Sequence, residues 1–113
     1  MNHITDLRLA DFPTMVLLLA GDVVVHITAP QYDLIEELER SKTALASILN
    51  GEKVERKQKA IYDLAAKLIN CNEDDFHVTA QELQVNYRWG ARAVAKFFED
   101  YKAFIESIEQ EKN

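Results

Sequence analysis

A single cysteine, Cys71, stands in the 113 residues, so no disulfide can close within the chain. A secreted domain of this size is more often stapled, and the expectation is a reducing cytoplasm. Glycine is just as scarce: Gly21, Gly51 and Gly90 each stand alone, which leaves no glycine-rich loop to cradle a phosphate. Basic residues are outnumbered, thirteen against nineteen acidic ones, and the formal charge of −6 repels phosphate backbones and anionic lipid alike. Three histidines, His3, His26 and His77, lie in three separate segments, without the i, i+4 spacing of a helical metal pair. No apolar run is long enough to cross a bilayer. The stretch from Phe12 to Ile27 is broken by Pro13, Gly21, Asp22 and His26, and Arg8 before it is matched by Asp6 and Asp11, so neither a span nor a leader is read there. These shortages count against nucleic acid, membrane, metal or cofactor, and small-molecule substrate.

What is present is an ordinary folding composition. With 48% hydrophobic and 28% charged residues, the chain has enough apolar surface for one core, and residues 1–113 are expected to form a single domain. The stretch organising it runs from Ala91 to Ile108. Val94, Phe98, Tyr101, Ile105 and Ile108 advance by four, three, four and three, with Phe97 and Phe104 widening the stripe. Arg92, Lys96, Glu99, Asp100, Lys102, Glu106 and Glu109 take the other face, where Lys96 with Asp100 and Lys102 with Glu106 stand one turn apart. A helix so rich in aromatics needs a surface to lie on, in this chain or in another protein.

The fold expected is mainly α (α+β), with about four helices and a small N-terminal β-hairpin. Residues 1–13 are read as an arm and residues 14–28 as the hairpin, with Gly21-Asp22 as a two-residue type II′ turn. Both runs of the hairpin are apolar on both faces, so a helix is expected on one face and a partner on the other. The helical part spans residues 29–110. Thr28 and Gln31 stand in the capping-box relation with Pro30 in the first turn, opening a helix of about twenty residues that Asn50-Gly51 ends; Ser41 and Lys42 interrupt its stripe. A second helix, Val54 to Ile69, is expected antiparallel to it. Its early Lys53, Arg56, Lys57 and Lys59 are either a solvated face or a patch for an acidic partner. Asn70 to His77 reads as an exposed acidic loop from which Phe76 turns back to the core. Thr79 and Glu82 repeat the capping box for a short helix, and Gly90 is expected to supply the bend before the terminal one.

No constellation of reactive residues emerges. Cys71 and His77 are six residues apart in an irregular segment with nothing electropositive nearby, which favours a structural cysteine over a nucleophile. Asn72, Glu73, Asp74 and Asp75 lack the alternation and central Gly of a calcium loop. Arg88, Trp89, Arg92 and Lys96 interleave charge with an aromatic, but in an acidic chain. Trp89, Phe97, Phe98, Tyr101 and Phe104 are the candidate protein contacts, with core packing as the alternative for each.

The order of elements then carries a resemblance. A hairpin leads to a long helix and a second helix ending Leu-Ile-Asn-Cys-Asn. An acidic turn follows, then the capped Val-Thr-Ala-Gln-Glu-Leu and a terminal Phe-Phe-Glu-Asp-Tyr-Lys-Ala-Phe-Ile. Over residues 14 to 108 this resembles the tail assembly chaperones of long-tailed bacteriophages and prophages. The resemblance implies a non-enzymatic protein of the bacterial host cytoplasm. Such a protein binds the phage tape measure protein, keeps it soluble during tail morphogenesis and virion assembly, and is displaced as subunits of the tail tube protein, a second possible partner, polymerise. Members often have a longer frameshifted form. The family pattern assigns no binding residue here, and the unusually apolar Met15 to Leu19 departs from it and points to self-association as an oligomer. The competing reading from residue chemistry is a small helical regulatory or adaptor protein, repressor- or antitoxin-like, binding a protein or DNA.

Overall fold

The computed structural model describes residues 13–30, 32–50 and 55–111. Strands β1 (Met15–Leu19) and β2 (Val23–Ile27) pair antiparallel. They are followed by α1 (Tyr32–Arg40), α2 (Lys42–Leu49), α3 (Glu55–Ile69), α4 (Ala80–Val85) and α5 (Ala91–Glu111). The fold is mainly helical with a small hairpin, as expected, but five helices stand where about four were expected. The extra one comes from Ser41. Its hydroxyl donates to the Glu37 carbonyl at 2.8 Å, and its amide is shared between the carbonyls of Glu37 and Leu38 at 3.1 and 3.2 Å. A side chain that bonds back to the i−4 carbonyl competes with the helical ladder, and the expected rod becomes α1 and α2. Lys42 and Glu39 form a 2.8 Å ion pair across the break.

The hairpin turn also differs from the expected two-residue form. Leu19 pairs with Val23, so the loop has three residues, Ala20, Gly21 and Asp22. Gly21 (φ 83°) and Asp22 (φ 61°) both take left-handed backbone. A type II′ turn asks that of its first central residue only, and Asp is one of the few side chains that tolerates it. Of the proposed Thr28–Gln31 box, Gln31 lies outside the described residues. Thr28 instead ties the end of β2 to the α3–α4 segment, its amide and hydroxyl both donating to the Cys71 carbonyl at 2.8 and 3.1 Å.

The core is one cluster shared by hairpin and helices. Leu19, Val25 and Ile27 meet Ile61, Leu64, Ala65, Leu68 and Ile69 of α3, Leu83 of α4, and Val94, Phe97, Phe98 and Tyr101 of α5, all buried. At about 1.5–3 kcal/mol for each large apolar side chain removed from water, this cluster dominates the stability. Helix α3 meets α1 near its C-terminal end, where Lys67 Nζ donates to Glu37 Oε1 at 3.1 Å. Ile61, earlier in α3, shares a cavity with Leu38, Ser41 and Lys42. The α1–α2 pair therefore runs antiparallel to α3, as expected from the short connection.

Helix α4 carries the anticipated capping box: Glu82 N–H donates to Thr79 Oγ1, and Thr79 N–H donates to Glu82 Oε1, both at 3.1 Å. At the corner before α5, the left-handed residue is Arg88 (φ 57°), and Gly90 has no positive φ. The corner is fixed from both sides, since Trp89 N–H donates to the Leu83 carbonyl at 2.9 Å and Tyr62 Oη donates to the Trp89 carbonyl at 3.1 Å. The backbone needs no glycine there because these two bonds hold it.

Candidate protein-docking surface

Three features converge on the hairpin. The first is its outer face. Strand alternation turns Leu19, Val25 and Ile27 into the core and leaves Val16, Leu18 and Val24 outward at 56%, 73% and 46% exposure. Leu18 stands across from Val24, and Val16 across from His26. A helix was expected on one face and a partner subunit on the other. Among the described residues of this chain the helices cover the inner face, and the outer one offers three large aliphatic side chains to water. Scattered apolar residues on a surface are ordinary, whereas adjacent ones on a two-stranded sheet form a patch that another protein can cover.

The second feature is a groove of about 310 Å³ between β1 and the start of α5, walled by Met15 to Leu18 on one side and by Trp89, Ala93 and Phe97 on the other. Its charged residues are Lys96 and Asp100, which pair with each other at 3.1 Å. That hydrogen bond, with the carboxylate charge behind it, holds the Lys96 ammonium above its ordinary pKa. The pair leaves the groove nearly neutral.

The third feature is how the hairpin is anchored. On the side of β2 away from β1, Ile27 bridges to Asn72, Glu73 N–H donates to the His26 carbonyl at 3.1 Å, and His26 N–H donates to Asp74 Oδ2 at 2.6 Å. The His26 ring adds a contact from Nδ1 to the same carboxylate at 3.2 Å. Against an ionised carboxylate, that nitrogen must carry the hydrogen. The amide bond above all, then the ring, holds the Asp74 carboxyl below its usual range. Asn72 orders the segment from within. Its Nδ2 donates to the carbonyls of Ile69 and Phe76, both at 2.8 Å, and its Oδ1 accepts from the amides of Asp74 and Phe76 at 2.9 and 3.1 Å. Asn70 does the same for Val78, donating at 2.9 Å and accepting at 2.8 Å. The stretch from Asn70 to Val78 is thus a built platform for β2; as the sequence implied, it is a loop with Glu73, Asp74, Asp75 and His77 exposed and Phe76 half-buried against the core. The available signal was two asparagines among aspartates, residues whose side chains mimic backbone turns.

The five aromatic candidates divide by depth. Phe97, Phe98 and Tyr101 are buried, while Trp89 and Phe104 are half-buried against them. Phe97 joins the others into a chain of ring contacts, 5.5 Å from Trp89, 5.3 Å from Phe98 and 5.7 Å from Tyr101. Trp89 and Phe97 line the groove beside β1. Phe98 lines a second cavity of about 220 Å³ at the α1–α2 break, with Leu38, Ile61 and Ile105 under a rim of Glu39, Lys42, Lys102 and Glu106. Lys102 and Glu106, one turn apart, form no ion pair, unlike Lys96 and Asp100. Tyr101 has no exposure, and among the described residues its hydroxyl has no hydrogen-bond partner.

Cys71 Sγ lies 3.6 Å from the Lys67 carbonyl, and His77 is exposed. Of the early basic residues, Lys53 lies outside the described residues and Lys59 is exposed. Among the described residues, no helix is long and apolar enough to cross a membrane, and no three metal-ligating side chains are grouped. This arrangement is suited to covering apolar protein surface. No family model, curated protein or solved structure matches this chain.

Proposed function

We propose that this protein is a non-enzymatic chaperone of the phage tail assembly kind, which binds apolar stretches of a tape measure protein and keeps it soluble until the tail polymerises. The observation that carries this reading is the uncovered outer face of the hairpin, with Val16, Leu18 and Val24 side by side on a chain of net charge −6. Covering those side chains gains about 25 cal/mol per Å² of apolar surface removed from water. The charge keeps the resulting complex dispersed. The rigid anchoring of β2 through Asn72 and Asp74 supports the same reading, because a preformed surface loses little freedom on binding. The test is coexpression with a tape measure protein. The soluble fraction of that protein should rise several-fold when this chain is present, and equal precipitation with and without it defeats the proposal.

A further inference from the structure

We propose that the free edge of β1 pairs with β1 of a second copy, giving a two-fold dimer built on a continuous four-stranded sheet. Such self-association is independent of the chaperone reading. The two edges of the hairpin differ. The β2 edge is occupied by the Asn72 bridge and by the Glu73 and Asp74 bonds to His26, whereas β1, among the described residues, pairs only with β2.

An open edge is normally guarded by a charge, a proline or a bulge. Strand β1 reads Met-Val-Leu-Leu-Leu and has none of these over its five residues. Charge favours a second copy as the occupant. Two copies at −6 repel over most of their surfaces, but residues 13–30 carry only Asp22, at the loop tip, and His26, already held by Asp74. The groove beside β1 contains Lys96 and Asp100 as a matched pair. Among the described residues, this is a region where a second acidic copy meets little like charge.

The strand is also complementary to itself. An antiparallel two-fold through Leu17 sets Met15 against Leu19 and Val16 against Leu18 of the other copy. Inner residues then meet inner residues, and outer ones meet outer ones. Trp89, Ala93 and Phe97, which floor the groove, come to lie under the new junction. On the outer face, Val16, Leu18 and Val24 of both copies become one apolar surface.

The register supplies its own test, because residues 16 and 18 are exposed and face one another only across this two-fold. Sedimentation equilibrium of the full chain should show reversible association from 13.0 kDa to about twice that mass. The double variant V16K/L18K sets lysine against lysine twice and should weaken association roughly tenfold or more, with an unchanged circular dichroism spectrum. V16K/L18E sets opposite charges against each other in the same register and should restore association to within a few-fold of wild type. A wild type that stays at 13.0 kDa at every concentration up to about 1 mM would mean that the edge is covered within one chain or by another protein, and it overturns the proposal. So does a V16K/L18E protein as monomeric as V16K/L18K, or a dimer indifferent to both.

Discussion

Replacing Asn72 by alanine removes four hydrogen bonds at once: two donated to the Ile69 and Phe76 carbonyls and two accepted from the Asp74 and Phe76 amides. A neutral hydrogen bond contributes about 1 kcal/mol net, and a buried group left without a partner loses more. Here three of the bonds are part-buried and the one from the Asp74 amide is exposed, so water replaces some of them, and the expected loss is about 2–4 kcal/mol. That is a large fraction of the roughly 5–15 kcal/mol that holds a domain of this size together. The Asn72→Asp variant keeps the shape and the two bonds accepted by Oδ1 but sets a carboxylate oxygen against two carbonyls. It should lose about 1–3 kcal/mol. Urea unfolding at pH 7 followed by circular dichroism reads both, with the m-value expected to stay constant. Because Asn72 also bridges to Ile27, the Asp74 and Phe76 amides should lose hydrogen-exchange protection together with those of β2. An alanine variant within about 0.5 kcal/mol of wild type, or with unchanged protection at those amides, refutes the view of this segment as the anchor of the hairpin.

Three further outcomes are expected. Tyr101→Phe deletes a hydroxyl that is buried with no partner among the described residues. It should leave stability unchanged or raise it by about 1 kcal/mol in thermal or urea unfolding, and a clear loss would reveal a partner. Asp74 has a folded pKa below its ordinary value of 3.8. Its stabilisation is therefore present above that value and lost as pH falls through the lower folded value. Urea midpoints taken from about pH 2 to 7 should fall more steeply at the acid end for wild type than for Asp74→Asn. Thr79→Ala removes the hydroxyl half of the α4 capping box and should reduce stability by about 1 kcal/mol, whereas Thr79→Ser should restore most of it.

The helical periodicity of the terminal stretch was legible because a 3.6-residue repeat sustained over about five turns fits no strand period, and Val94, Phe98 and Tyr101 are buried where it placed them. The Thr79–Glu82 box was legible for a similar reason, since two residue types at a fixed spacing satisfy one another locally. What could not be read lay in the choice of side-chain hydrogen bonds and in contacts across the sequence. Ser41 breaks a helix by bonding back to Glu37, a choice that helix propensity leaves open. The hairpin loop gained a residue because register is set by how Leu19, Val25 and Ile27 reach the helices. The platform from Asn70 to Val78 read only as an exposed acidic loop, since the bonds that join it to β2 reach far away in the sequence. Within the aromatic set, position in the sequence could not separate buried Tyr101 from half-buried Trp89. The docking face itself was visible only as an excess of apolar residues in β1, because an all-aliphatic strand conceals which side faces inward.

Binding of other proteins through Leu18 is the property on which the proposed function rests. An aggregation assay tests it, using a tape measure fragment rich in apolar helices, diluted from denaturant at equal molarity with this chain. Leu18, 73% exposed on β1, and Val85, 65% exposed on α4, are both large, aliphatic and outward, but only Leu18 lies on the sheet face. Wild type and Val85→Lys should suppress light scattering equally, and Leu18→Lys should lose most of the suppression while unfolding at the same urea concentration. Equal protection by all three, or none by wild type, contradicts the assignment of this face as the binding surface.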